Sequence, residues 1–325
     1  MAFCMQQKKK LYRDACIAEK TIPIFSQAWW LDATAGAENW DVAVVEKGGK
    51  LMAALPYLTK RQRWSTLLTQ PSLTQFLGPW LRESNAKYAK ALGQQKDLME
   101  ALIDQLPKFD QYSQNWHYQQ QNWLPFFWRG FKQTTRYTYV LPELTNEEAL
   151  WQEVQANIRT DIRKASDRFN VRVRDDLGIK DFLALNRLVF TRQGMPLPYS
   201  ESFVENLDKA CVAHSSRKIF IAEDPQGQRH AAVYLIWDEN SAYYLMGGGD
   251  PELRNSGATS LCMWEAIKFA STVTKRFDFE GSMIEPVERF FRAFGAIQTP
   301  YFAVTKTPSR MIRTVQFLKE LKVGK

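Results

Sequence analysis

Between Asn146 and Phe169 apolar residues recur at Leu150, Val154, Ile158, Ile162, Ala165 and Phe169, one stripe at helical spacing that predicts a single helix. Asn146 can cap its N-terminus, and Glu147 and Glu148 fall in the first turn, where the helix dipole favours negative charge. Downstream the pattern predicts a strand over Val171–Arg174, helices over 180–194 and 201–214, and a strand over Lys218–Glu223. The turn Asp224-Pro225-Gln226-Gly227 then leads into a strand over Ala231–Trp237. A further strand, Ala242–Met246, runs into Gly247-Gly248-Gly249-Asp250 and is followed by a helix over 256–272. The apolar run Phe277-Asp278-Phe279-Glu280, a helix over Pro286–Phe294 and a strand over Ile297–Thr305 close the series.

A similar order precedes residue 144: a hairpin Val42–Glu46 to Leu51–Tyr57 around Gly48-Gly49, a helix over 85–106 and a strand over Tyr112–Tyr118. The segment Phe126-Phe127-Trp128-Arg129-Gly130-Phe131 then echoes Phe290-Phe291-Arg292-Ala293-Phe294-Gly295. Repeated element order with a repeated segment predicts two copies of one unit, at 1–144 and 145–325, in an α/β (α+β) fold with mixed sheets flanked by helices. Aligning the Phe-Phe pairs sets Asp278 opposite Gln114 and Glu280 opposite Trp116, so the acids belong to the second copy alone.

Composition narrows the chemistry. With 325 residues, 45% hydrophobic and 13% aromatic, the chain is globular and long enough for two domains. Neither a cleavable leader nor an apolar run of spanning length is read, and four scattered cysteines suit reduced thiols, so a cytoplasmic protein without a metal site is expected. Three histidines in no motif make a carboxylate or a tyrosine the expected base. The excess of 43 basic over 35 acidic residues is compatible with an anionic partner: a phosphate-bearing cofactor, RNA or an acidic membrane surface. Lys8–Lys10 reads as a solvated tail.

Strand alternation places Phe277 and Phe279 on one face and Asp278 and Glu280 on the other. Two crowded acids raise one another's pKa, which suits a group that takes a proton from an ammonium. Glu280, at the strand end beside Gly281, is the candidate base; Asp278 is either its catalytic partner or a structural acid. Tyr243 and Tyr244 point to opposite faces, so one of them can reach a cleft and protonate a leaving group. Arg159 and Arg163 share a helix face with Lys164 adjacent, a diphosphate or carboxylate clamp or else a solvated basic face. Tyr199, in the turn-rich loop after Arg192, is a candidate acceptor contact. Val287, Phe290, Phe291 and Phe294 form a core stripe.

The segments Tyr243–Gly248, Arg254–Ala258, Trp264–Ile267, Phe277–Ser282 and Phe290–Ala296, taken in order, resemble the C-terminal half of the FemAB-like transferases within the GNAT acyltransferase superfamily. The resemblance covers about 146–306, and the duplication extends it to a tandem GNAT pair. It implies transfer of an acyl group from acyl-CoA, or of an aminoacyl group from aminoacyl-tRNA, to an amine, with peptidoglycan precursors as known acceptors. No tightly bound cofactor is implied. It also implies a donor site at Gly247, Gly248, Arg254, Asn255 and Gly257, although Thr259 stands where the family's pyrophosphate loop has Gly or Ala. The competing expectation is a non-catalytic tandem module that binds RNA, a nucleotide-linked sugar or a protein. Peripheral association with a membrane-linked precursor fits the first expectation.

Overall fold

The computed structural model describes residues 5–281, 283–314 and 318. Its contacts divide the chain into Met1–Arg136 with Pro300–Lys325, and Tyr137–Thr299. The division falls inside a strand, Lys132–Leu141, instead of at residue 144, and the C-terminal segment returns to the first unit.

In the first unit the order is α1 (Met5–Ala18), α2 (Ala28–Ala35), β1 (Trp40–Lys47), β2 (Lys50–Gln62), β3 (Ser65–Thr69), β4 (Trp80–Leu81), α3 (Tyr88–Ile103), β5 (Gln111–Asn115) and α4 (Leu124–Trp128). β1, β2 and β3 pair antiparallel, and β3 then pairs parallel with β5 at Leu67↔Gln111 and Leu68↔Tyr112. Lys8–Lys10 is no tail: it lies in α1, with Lys8 Nζ donating to Gln105 Oε1 at 2.9 Å and Lys9 Nζ 4.5 Å above the Trp40 ring. Burial of Tyr12 on the same helix explains the docking.

The second unit takes up the chain within β6 (Lys132–Leu141), followed by α5 (Glu147–Glu153), α6 (Ala156–Arg163), β7 (Arg172–Arg174), α7 (Ile179–Arg192), α8 (Glu201–Ala213), β8 (Arg217–Glu223) and β9 (Arg229–Trp237). Then come β10 (Ala242–Gly249), α9 (Ala258–Val273), β11 (Phe277–Asp278), α10 (Glu285–Arg292) and β12 (Ile297–Lys306), whose later residues pair with β5 in the first unit's sheet. The sheet order is β6-β11-β10-β9-β8-β7. Among the described residues of this sheet, only β10 and β11 pair parallel, at Ala242↔Phe277 and Tyr243↔Asp278, and the pairing ends there. This repeats the β3–β5 step, as expected of a tandem pair.

The predicted helix 146–169 is broken. Val154 and Gln155 are extended, with ψ of 130° and 149°, and a π-helical turn at Lys164–Arg168 follows α6. The apolar stripe survives because Val154, Ile158, Ile162 and Ala165 remain buried. The break has a tertiary cause: the Gln155 N–H donates to Ala293 O at 2.8 Å, a partner outside any helix ladder. Asn146 caps α5 as expected, accepting the Ala149 N–H at 3.0 Å.

Phe277, Phe279, Phe291 and Phe294 belong to the core beneath the sheet, with the Phe279 ring 5.1 Å from Phe291 and 5.7 Å from Phe294. This packing holds β11 and α10 together and sets the direction of the acids between them.

Candidate active site

β11 is two residues long because the chain turns out of the sheet after Asp278. Phe279 N–H still donates to Tyr139 O at 2.9 Å, but Glu280 and Gly281 both enter the left-handed region, at φ 63° and 61°. Gly281 packs so tightly on β6 that a Cβ would lie 2.6 Å from Thr138 Cα. A non-glycine residue in this conformation costs on the order of 1 kcal/mol and persists only where its surroundings enforce it. Here they do: Asp278 Oδ1 accepts the Glu280 N–H at 2.8 Å and the Thr138 hydroxyl.

Asp278 is buried, and burial pushes its carboxyl up to about 6 against the opposing hydrogen bonds from Thr138 and the Glu280 amide. Glu280 is held well above the usual carboxylate range, first by burial and then by the charge of Asp278. Its Oε1 is buried and has no hydrogen-bond partner among the described residues. A buried, unpaired carboxylate is costly unless something supplies a proton or a donor. Ser282, next in the motif, lies outside the described residues.

The first unit supplies an internal comparison. The corresponding strand there, β5, is paired parallel to β3 as β11 is to β10, and Gln111–Asn115 carries no acid; its buried polar side chain is Gln114. Gln114 is buried but satisfied: its Nε2 donates to Pro56 O at 2.9 Å and its Oε1 accepts the Tyr112 hydroxyl at 2.6 Å. The strand in this place is therefore neutral and hydrogen-bonded in one copy and acidic in the other.

The tyrosines separate. Tyr243 is buried, its hydroxyl 3.4 Å from Asp238 Oδ2 at the β9–β10 turn. Tyr244 lies on the face that packs on α10, its ring 5.7 Å from Phe291, and its hydroxyl covers Gly247, where a Cβ would overlap it. Burial raises the Tyr244 phenol, with Cys262 and Tyr199 adding to the effect. Of the two, Tyr244 has its hydroxyl beside the glycines of β10, whereas that of Tyr243 lies at the β9–β10 turn.

Gly248 is explained by packing, since a Cβ would lie 2.8 Å from the Asn186 amide nitrogen on α7. Asn186 was not anticipated: its Nδ2 donates to Gly247 O at 2.6 Å and its Oδ1 accepts the Tyr199 hydroxyl at 2.9 Å. Tyr199 thus reaches β10 through Asn186. Thr138 was not anticipated either, and nothing in its local sequence marks it out.

At the N-terminus of α9, Arg254 and Asn255 are exposed and, with Thr191 and Arg192, border a recess of about 490 Å³. Gly257 adopts φ 82°, and a Cβ there would lie 2.8 Å from the Asp161 carbonyl carbon, so this glycine admits α6 to the loop. The amides that open α9 and the Arg254 guanidinium together suit a phosphate-bearing group.

The basic clamp does not assemble. Arg159 Nη1 donates to Trp151 O and Gln152 O, both at 3.2 Å, and so caps α5; Arg163 stacks 5.9 Å above Trp151; Lys164 pairs with Asp161 at 3.5 Å. The helix break before α6 creates the free carbonyls that Arg159 takes up.

Residues 152–290 match the model of the acetyltransferase (GNAT) domain family. No sequence among the curated proteins matches the chain. Among solved structures, the chain superposes on FemX with a TM-score of 0.67 and 14% identity, over 97% of this chain and 98% of that one. The C-terminal domain of a putative lysylphosphatidylglycerol synthetase from Agrobacterium fabrum gives 0.55 and 12%, over 98% and 97%. A tandem GNAT protein from the clavulanic acid biosynthesis pathway gives 0.52 and 11%, over 93% and 95%. The chain has the tandem GNAT fold of these structures, and its residues 152–290 match the acetyltransferase (GNAT) domain family.

Proposed function

We propose that the chain is an N-acyltransferase whose second unit, Tyr137–Thr299, carries the reaction, while β5 of the first unit offers no acid. The observation that carries this reading is Glu280: a carboxylate with a raised pKa and a buried oxygen without a partner among the described residues. A base so tuned is matched to the proton of an acceptor ammonium.

The donor is an acyl-CoA or an aminoacyl-tRNA, with its phosphates at Arg254, Asn255 and the start of α9. The acceptor is an amine, for which a peptidoglycan precursor is the first compound class to try; Tyr199 stands on the acceptor side. Glu280 takes a proton from the ammonium, the freed amine attacks the donor carbonyl carbon, a C–N bond forms and the C–S or C–O bond breaks. The leaving thiolate or alkoxide takes a proton from Tyr244 or water, and the proton shed by the attacking nitrogen as the amide forms restores that donor. Glu280 releases its own proton to solvent. Asp278 and Thr138 hold the turn that presents Glu280 and need not exchange protons. A cytoplasmic setting goes with this reading, and no helix among the described residues is long and apolar enough to cross a membrane.

The test is a thermal-shift screen of CoA thioesters, aminoacyl-tRNA and nucleotide-linked peptidoglycan precursors, then transfer assays on Glu280→Gln with the ligands that bind. The expected result is a loss of transfer of about a hundredfold or more with donor binding retained. Unchanged turnover removes Glu280 from the mechanism. Salt-dependent binding of RNA with no response to any donor selects the non-catalytic module instead.

A further inference from the structure

A second chain of buried polar groups lies in the same unit, away from the acid pair. His230, at the start of β9, has its Nε2 3.1 Å from Asp224 Oδ2 and its Nδ1 2.9 Å from Ser256 Oγ. His230 is 5% and Ser256 4% exposed. Asp224 is fixed in its turn, its Oδ1 accepting the N–H groups of Gln226 at 3.0 Å and Gln228 at 2.8 Å. Although burial opposes it, these bonds and His230 hold the carboxyl below its ordinary range. An ionised Asp224 only accepts, so Nε2 of His230 carries a proton; in the neutral ring Nδ1 then accepts the Ser256 hydroxyl.

The order of groups is that of an activated serine, but Ser256 is too buried for its Oγ to meet a substrate carbonyl. What it meets is the loop. Ser256 Oγ accepts the Ala258 N–H, the first amide of α9, at 3.3 Å. At the other end of the loop the backbone carbonyl of His230 accepts the Asp250 N–H at 3.0 Å. One residue therefore pins both ends of 250–256, the segment that carries Arg254 and Asn255.

We propose that Asp224, His230 and Ser256 are positioning residues that fix the 250–257 loop in the form that receives the donor's phosphates. This rests on the acyl-transfer reading, in which that loop faces the donor. The three side chains touch no substrate. They set the direction of the α9 amides and of Arg254 before the donor arrives, so that binding does not have to order the loop.

The test uses the full chain and CoA itself as the probe, with affinity measured by calorimetry alongside the melting temperature. Ser256→Ala removes the link to α9, and His230→Gln keeps a group near Nε2 but loses the one near Nδ1. His230→Asn keeps a nitrogen or oxygen near Nδ1 and so preserves the contact with Ser256. CoA affinity is expected to fall about tenfold in Ser256→Ala and His230→Gln, and to stay within about threefold of the wild type in His230→Asn. A general loss of packing would harm the two His230 variants alike, and that result overturns the inference, as does CoA binding to Ser256→Ala at wild-type strength. Failure of the wild type to bind CoA removes acyl-CoA as the donor and overturns this inference, leaving acyl transfer from aminoacyl-tRNA standing; wild-type binding without a variant effect sinks this inference alone.

Discussion

The backbone N–H of Glu280 donates to Oδ1 of Asp278 at 2.8 Å. One acid thereby holds the turn that presents the other, and the cost of crowding two carboxyls falls on the fold. Asp278 titrates near 6 and Glu280 above its ordinary range, because burial favours the protonated form of each.

The sign of the pH effect follows. Both folded-state pKa values are raised, so the stability these groups contribute is complete below their unfolded values of about 4 and is lost as pH rises through the folded ones. Glu280→Gln is expected to melt at a higher temperature than the wild type above pH 6, with the two curves converging near pH 4. Melting curves across this range check it; a constant offset at every pH would rule it out.

Catalysis runs the other way. A base must be ionised, so transfer by the wild type is expected to rise with pH through the raised pKa of Glu280. In Glu280→Gln that limb should be absent from the pH–rate profile at saturating donor. Its persistence would assign the titration to another group.

Thr138→Val deletes one of the two donors to Asp278 Oδ1 and leaves the buried carboxyl less satisfied. A stability loss of about 1–2 kcal/mol is expected from urea denaturation at pH 8, shrinking at pH 4, where Asp278 is protonated. A loss equal at both pH values would mean that packing, not charge, is what Thr138 supplies.

Gly257 and Gly48 both have positive φ, of 82° and 61°, but an added Cβ meets the Asp161 backbone at the first and open space at the second. Gly48→Ala should cost about 1 kcal/mol and Gly257→Ala at least about 2–3 kcal/mol, the difference being the clash with α6. Comparable costs would show that α6 yields to the new side chain.

Arg159→Ala should destabilise the chain by about 1 kcal/mol through loss of the α5 cap while leaving CoA affinity unchanged. Arg254→Ala should do the reverse, weakening CoA about tenfold without changing the melting temperature. Calorimetry on both variants decides whether the basic residues of α6 or those of the loop face the donor.

Periodicity alone determined much of this. The apolar stripe from Leu150 to Phe169, the alternation of Phe277 and Phe279 with Asp278 and Glu280, the repeated element order and the cap at Asn146 are local signals, each visible within a few residues. The Phe-Phe pairs mark a helix, whereas the parallel pairs Leu68↔Tyr112 and Tyr243↔Asp278, which mark the corresponding strands, appear only in the folded chain. Only the tertiary structure decided that Gln155 donates to Ala293 and so breaks the helix, that Arg159 caps α5 instead of waiting for an anion, and that Thr138 and the turn at Glu280 hold the acids in place. The physical reason is common to all three. A side-chain pattern encodes which face seeks the core, but the partner of a backbone amide or a buried carboxyl comes from a distant part of the chain, and its identity is fixed only when the elements pack.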